Sequence, residues 1–384
     1  MRRELFGVVL AASLLISAPS WADPRGCGGF INTHLRYPVN RAAASDRPAE
    51  LLKGPPLETV TYVARGETAT RTIESYMDIF CVTGLLVLHR GRIVLEQYRQ
   101  GARPDDHLLS ASMSKSILAL LVGVAVSEGR LRLDEKVVDM LPGFEASVFG
   151  QATVEDLLRM TSGVALKTSY EKGGISDNQA TNPIISPDQD VGRYLRDRKE
   201  ADPAGKVFHY NGAVTAMLGA VLRARTGQTN TDYLSEKLWR PLGAQAPAYW
   251  ITNKRGEEGV QGQFLATLRD YARLGLLVMN NGKVGDTRVV PEKWISQMVA
   301  LRMDKPQPGG PQKYGLHIWI PQAARGRSMF LGTNGQAIFI DPVAQVVIVH
   351  TANAPEADYN GNGHLYPLRD AIIRELTTRL NFGS

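Results

Sequence analysis

Between Val82 and Gly101 the chain reads "VTGLLVLHRGRIVLEQYRQG", two runs of apolar β-formers around His89-Arg90-Gly91-Arg92. This pattern predicts a hairpin, with Ile93, Leu95 and Tyr98 on the second strand. The next periodic segment, "SKSILALLVGVAVSEGRL", is apolar almost all round. It predicts a helix inside the core rather than on the surface, stopping at Gly129. From about residue 130 to 310 helical spacing dominates. "TVEDLLRMTSG" places Thr153 as a cap and Glu155 and Asp156 in the first turn, and predicts a helix broken at Ser162-Gly163. "NGAVTAMLGAVLRARTG" ends at Gly227, and "TLRDYARLGLLVMNNG" stops at Asn281-Gly282. "PEKWISQMV" opens with Pro291, suited to a first helical turn. After 314 the strand pattern returns in "YGLHIWI", "QAIFIDP" and "QVVIVHTA", with Asp341-Pro342 as the turn between the last two. "LYPLRDAIIRELTTRL" closes the chain as an amphipathic helix.

This order predicts an α/β (α+β) fold. Its antiparallel sheet is flanked by helices and built from both chain ends, with a mostly helical domain inserted between them. The expected division is a leader over 1–22, an irregular N-terminal extension over 23–75, the sheet domain over 76–130 and 311–384, and the helical domain over 131–310. No internal repeat or low-complexity run interrupts it.

Composition narrows the function classes. The 384 residues are 43% hydrophobic and 21% charged, enough for a large core and too apolar for wholesale disorder. The formal charge is +6, but the basic residues are scattered and form no stripe with aromatics, which speaks against nucleic-acid binding. The chain opens with Arg2 and Arg3, a short apolar stretch from Leu5 to Ile16, and Ser20-Trp21-Ala22. This is the pattern of a secretory signal peptide cut after Ala22; an uncleaved anchor or a core helix is the alternative. The expected destination is the periplasm or the medium, with no transmembrane span in the mature chain. Cys27 and Cys81 are the only cysteines. In an exported protein the pair favours a disulfide, which would contribute about 4 kcal/mol on the chain-entropy model; two free buried thiols are the alternative. "PRGC" is a poor lipobox, because Pro24 stands where an aliphatic residue belongs.

The stretch "SASMSKSIL" crowds Ser110, Ser112, Ser114 and Ser116 around Lys115. If a helix begins near Ser112, Ser112 and Lys115 lie on one face, and free N–H groups at the helix start favour a developing anion. A serine hydroxyl needs a base to become a nucleophile, and a lysine entering an apolar helix is destabilised as an ammonium. The plain alternative is an N-capping serine with a solvated lysine one turn on. Two further pieces are "FHYNGA", with Tyr210 just before a helix, and the Gly-rich "LGTNGQAIFID" opening a strand.

With these motifs the chain resembles the serine β-lactamase and penicillin-binding superfamily. Within it the likeness is to class C β-lactamases, family VIII carboxylesterases and nylon-oligomer (6-aminohexanoate-dimer) hydrolases. The resemblance spans roughly residues 80 to 380 and rests on "SMSK", "LLRMTSGV", "FHYNGA", "TLRDYARLGLLVMNNG", "YGLHIW" and "GTNGQ" followed by "IDP", in that order. It implies that Ser112 is the acylated nucleophile, that Lys115 shares its proton, and that Tyr210 is the general base and later the acid for the leaving group. It implies an oxyanion hole from the backbone N–H groups of Ser112 and Gln336. Thr333, Asn334 and Gly335 would line the substrate site. So would Tyr170, placed where nylon-oligomer hydrolases have a substrate-contacting tyrosine.

Two departures bear on substrate. The tyrosine motif of β-lactamases usually ends in asparagine, and here Gly212 holds that position with Asn211 one place early. Their strand motif usually starts with lysine, and here the triplet is Thr333-Asn334-Gly335. A threonine cannot offer a positive charge to a substrate carboxylate, although Arg325 and Arg327 lie nearby in sequence. The pattern favours a neutral ester or linear amide over penicillins and D-Ala-D-Ala peptides. No H-E-x-x-H, Cys/His cluster, G-x-S-x-G elbow, P-loop or dinucleotide fingerprint is present, so neither a metal nor a cofactor is expected. His364 in "NGNGHLY" reads as a surface loop residue or a neighbour of the cleft. The expected activity is that of an exported serine hydrolase acting on a small-molecule ester or amide. The alternatives are a β-lactamase or D-Ala-D-Ala peptidase, and a non-catalytic protein that binds cell-wall fragments.

Overall fold

The computed structural model describes residues 26–165, 175–199, 202–304, 313–321, 326–354 and 363–378. The leader, Tyr170 and Arg325 lie outside the described residues.

The hairpin forms as Val82–His89 and Arg92–Tyr98, turned by Arg90 and Gly91 at φ 51° and 76°. It is one edge of an eight-stranded antiparallel sheet. From the other edge the strands run Met303–Asp304, Lys313–Tyr314, Trp319–Ile320, Ser328–Leu331, Ala337–Asp341 and Val346–Ala352. The last of these pairs with Val82–His89, Val349 lying opposite Leu86, so the two ends of the chain meet at the sheet's apolar centre. The Leu268–Met279 helix covers one face. It sits so close that a side chain on Gly275 would come within 2.5 Å of Val347. The Leu365–Thr378 helix borders the opposite face, where the Tyr366 ring lies edge-on to Phe339 at 6.0 Å.

The Met113–Ser127 helix is buried continuously from Met113 to Ala125, as its unbroken apolar run demands. Gly123 lets the Trp294 indole lie directly on it; an added Cβ would fall 2.1 Å from Trp294 Cδ1. The indole N–H donates to Ala119 O at 3.0 Å. The Gly212–Thr226 helix is capped by Asn211 at its start and by Gly227, at φ 71°, at its end. Thr153 caps Val154–Leu158 through a reciprocal bond with Asp156, but that helix stops earlier than its sequence pattern suggests, because Met160 turns to φ 59°. Pro291 is the residue just before the Glu292–Met298 helix rather than inside its first turn.

Two features depart further from the sequence expectation. "YGLHIWI" is not one strand: Gly315 to Ile318 form a turn between Lys313–Tyr314 and Trp319–Ile320, with His317 at φ 53°. Its backbone turns to other elements, Leu316 N–H to Met298 O and His317 N–H to Leu158 O. A second, four-stranded antiparallel sheet also exists, in the order Val39–Ala42, Ala248–Ile251, Phe264–Ala266, Leu108–Leu109. It draws strands from the stretch read as an irregular extension and from the mostly helical section. Cys27 and Cys81 are joined as a disulfide, tying the N-terminal segment to the start of the large sheet.

Candidate active site

The small sheet delivers the nucleophile motif. Leu108–Leu109 pairs with Phe264–Ala266, and Ser110 N–H donates to Phe264 O at 2.8 Å. Ala111 then takes φ 42°, a left-handed conformation that costs a non-glycine residue about 1–3 kcal/mol, and the helix begins. The turn leaves Ser112 at the N-cap position, yet its side chain makes no capping bond. This separates Ser112 from its neighbours. Ser110 donates to Ala111 O at 2.9 Å, Ser114 to Val260 O at 2.6 Å and Ser116 to His317 O at 2.5 Å, and all three are buried. Ser112 is the half-buried serine of the four, and its hydroxyl accepts from Lys115 Nζ at 3.0 Å.

Lys115 is 3% exposed. Its second contact is Gln261 O at 2.6 Å, a neutral carbonyl on the approach to the Phe264–Ala266 strand. Burial, with no carboxylate partner among the described residues, pushes its pKa down to about 7, so a large fraction is the free amine at neutral pH. Nζ also lies 5.1 Å from the centre of the Tyr210 ring. Tyr210 precedes the Asn211 cap and packs against Trp319 and Tyr314 at 5.2 and 6.1 Å between ring centres. Burial pushes its phenol up to about 12, while its contacts with Ser112 and Trp319 act in the opposite direction. Ser112, Lys115 and Tyr210 are therefore brought together, with one amine poised to lose a proton and one phenol held neutral.

Behind them sits His317, 1% exposed, its Nδ1 donating to Leu158 O at 2.8 Å and its Nε2 accepting from Thr215 at 3.1 Å. Burial and the neighbouring Lys115 hold its pKa down to about 3, so it adds no charge to the site.

The Gly-rich turn forms the opposite wall. Gly332 has no Cβ for a steric reason: one would lie 2.6 Å from Ser110 O and 2.9 Å from Ser112 N. Thr333–Gly335 is a short turn of 3₁₀ type before the Ala337–Asp341 strand, with Asn334 at φ 60°. Thr333 is exposed. Asn334 is committed to the fold, donating to Ala354 O at 2.8 Å. The Gln336 N–H donates to Thr333 O at 3.4 Å, a long contact that leaves it weakly held, while the Gln336 side chain bridges to the backbone of Ala352. The turn is braced from beneath: His350 Nδ1 donates to Gly335 O and its Nε2 accepts from Tyr76 at 3.1 Å. Sequence reading did not single out His350, because the bond that matters is to a backbone carbonyl.

The remaining candidates lie elsewhere. Arg327, just before the Ser328–Leu331 strand, pairs with Asp341 at 2.5 Å. The His364 ring lies tilted against Phe80 at 4.5 Å between ring centres and pairs with Glu67 at 3.2 Å.

A β-lactamase-type fold with a serine–lysine–tyrosine cleft is the class these features define. The chain belongs to the Beta-lactamase family, whose pattern matches residues 69–368. It is a serine hydrolase of that superfamily. It is similar to a 6-aminohexanoate-dimer hydrolase of Paenarthrobacter ureafaciens, 26% identical over 349 residues that cover 85% of this chain and 86% of the relative. Among solved structures it superposes on a protein of Bacillus anthracis, assigned as a 6-aminohexanoate-dimer hydrolase, with a TM-score of 0.82 at 25% identity, covering 90% and 94% of the two chains. The fold is shared by a family VIII carboxylesterase at a TM-score of 0.60 and 17% identity, covering 79% of this chain and 96% of that one. No helix among the described residues is long and apolar enough to cross a membrane.

Proposed function

We propose that the protein is an exported hydrolase of small linear amides and neutral esters, acting through an acyl-enzyme on Ser112. The observation that carries this reading is the Ser112 hydroxyl: it caps no helix N–H and instead meets the buried Lys115 amine at 3.0 Å.

In the proposed sequence Ser112 Oγ attacks the substrate carbonyl carbon while Lys115 Nζ takes the hydroxyl proton. The family resemblance gives the base role to Tyr210. A phenol held near 12 is neutral at physiological pH, whereas an amine near 7 can accept a proton, so the reading here gives that first transfer to Lys115. The tetrahedral oxyanion faces the Ser112 and Gln336 N–H groups and the start of the Met113–Ser127 helix. As the intermediate collapses, the C–N or C–O bond breaks, Tyr210 gives its proton to the leaving nitrogen or oxygen, and Lys115 returns one to Tyr210. Water then releases the acid by the reverse relay.

Substrate choice follows from charge. The turn facing Ser112 carries Thr333 where a carboxylate-binding lysine would stand, and Arg327 is already paired with Asp341. Among the described residues a buried or half-buried substrate carboxylate would lack a partner there, which disfavours anionic β-lactams. Export is supported by the N-terminal pattern and by the Cys27–Cys81 disulfide, which suits an oxidising compartment. The test compares kcat/KM for a p-nitrophenyl ester, a linear aminohexanoyl amide and nitrocefin. Ester or amide turnover should exceed nitrocefin turnover by about two orders of magnitude or more, the scale of a lost ion pair in a site built for one. Comparable nitrocefin turnover would contradict the substrate assignment.

A further inference from the structure

The outer edge of the large sheet carries a cavity that takes no part in the chemistry at Ser112. Residues 51–57 run beside the Arg92–Tyr98 edge strand. Ile93 N–H donates to Leu52 O at 2.8 Å, Gly54 N–H to Ile93 O at 2.9 Å and Leu57 N–H to Val94 O at 2.7 Å. Gly54 sits tight on the strand; a Cβ there would lie 3.0 Å from Arg92 Cβ. Between Gly54 and Leu57 stand Pro55 and Pro56, which have no N–H to give. The segment advances from Gly54 to Leu57 while the strand advances by one residue, so the two prolines stand away from it.

The gap they leave is a cavity of about 320 Å³. Its apolar lining is Pro55, Pro56, Leu57, Val94 and Leu376. Its polar lining is His89, Arg90 and Arg92, from the hairpin turn, and no carboxylate lines it among the described residues. Arg90 and Arg92 are exposed, and neither has an ion-pair partner among the described residues; Arg92 reaches only Lys53 O, at 3.4 Å. Burial and the neighbouring Arg90 hold His89 below its ordinary pKa, so the local charge is that of the two guanidiniums. Leu376 comes from the last turn of the Leu365–Thr378 helix, whose end carries about half a negative charge, less than either guanidinium.

The cavity is separate from the catalytic cleft. It lies at the His89 end of the Val82–His89 strand, and the catalytic turn lies at the other: Gly84 is opposite Thr351, and a Cβ on Gly335 would fall 3.0 Å from Ala352 Cβ. Its volume is at the lower end of the range of small-molecule sites, about 300–1,000 Å³. At about 30 Å³ for each water-sized group it has room for about ten, enough for one acyl chain of medium length and too few for a two-tailed lipid. Paired guanidiniums match the geometry and charge of a carboxylate. An apolar body with an anionic head therefore satisfies both parts of the lining, whereas a small hydrated anion leaves the apolar part unused.

We infer that this cavity is a binding site for an apolar carboxylate, a single acyl chain of medium length whose head pairs with Arg90 and Arg92 and whose body lies on Pro55, Pro56 and Leu376. The fixed prolines and the hydrogen-bonded sheet edge hold the walls in place before a ligand arrives, which lowers the cost of binding. The inference is independent of the hydrolase reading.

The experiment is isothermal titration of the full chain with decanoate, and with decanol as the uncharged control, on wild type and on the double variant Arg90→Gln, Arg92→Gln. Both positions are exposed, so the variant should fold. Wild type should bind decanoate with a Kd below about 1 mM and decanol about tenfold or more weakly. The double variant should lose about tenfold or more in decanoate affinity, and its turnover of a p-nitrophenyl ester should stay within about threefold of wild type. Equal affinity for decanol, decanoate binding unchanged in the variant, or no binding to wild type would overturn the inference. Binding that tracks only an inhibition of ester turnover, equal in both proteins, would place decanoate in the catalytic cleft and overturn it as well. Binding that appears only in Phe382→Ser would assign the cavity to the chain's own residues 379–384, which lie outside the described residues, with the same consequence.

Discussion

Lys115→Met should lower kcat/KM by about 10³–10⁴-fold and remove the acid-side limb of the pH profile. Methionine keeps the length and apolar character that the buried position requires, and it removes a group whose burial is costly. What is lost is the amine 3.0 Å from Ser112 Oγ. The fold loses a single donor to Gln261 O, worth about 1–3 kcal/mol, and the variant should remain folded by circular dichroism. The sign of the pH effect follows from the depressed pKa. Below about 7 the amine is protonated and cannot accept the serine proton; above it the free base predominates. Wild-type kcat/KM should therefore rise about tenfold per pH unit on the acid side and level off near 7. A variant that retains the limb would show that another group is the base.

Tyr210→Phe should reduce kcat by about 10²–10³-fold on amides and by less on p-nitrophenyl esters. The difference follows from the leaving group. An amide nitrogen cannot depart without a proton, and the neutral phenol is the donor placed to supply it, whereas a nitrophenolate leaves unassisted. Removing the hydroxyl leaves the ring packing against Trp319 and Tyr314 intact, so stability should change little. Steady-state kinetics on a matched ester and amide pair reads the effect. Equal loss on both substrates would place Tyr210 in the attack step instead.

Local pattern carried much of this reading. The Val82–Tyr98 hairpin, the buried Met113–Ser127 helix and the Gly227 cap follow from periodicity and turn chemistry within a few residues of each element. The closeness of Ser112 and Lys115 follows from three-residue spacing on a helix. The four-stranded sheet was not legible, because Leu108–Leu109 and Phe264–Ala266 are two and three residues long and too short to show a period. "YGLHIWI" misled for a related reason: its composition suits a strand, but its backbone bonds go to Leu158 and Met298. The spacing singles out Ser112, but the bonds of its three serine neighbours are not legible locally. What the structure adds is that the carbonyls of Ala111, Val260 and His317 occupy the hydroxyls of Ser110, Ser114 and Ser116. Contacts to backbone carbonyls, such as Lys115 to Gln261 and His350 to Gly335, leave no trace in residue type.

The proposed chemistry requires Ser112 to be an activated nucleophile. Intact-mass measurement after incubation with a fluorophosphonate tests it most directly, with Ser112→Ala alongside and peptide mapping of the adduct. The expected result is one adduct per wild-type chain, located on Ser112, and none on the variant. A well-folded wild-type protein that takes no adduct, or one modified at another serine, would contradict the mechanism.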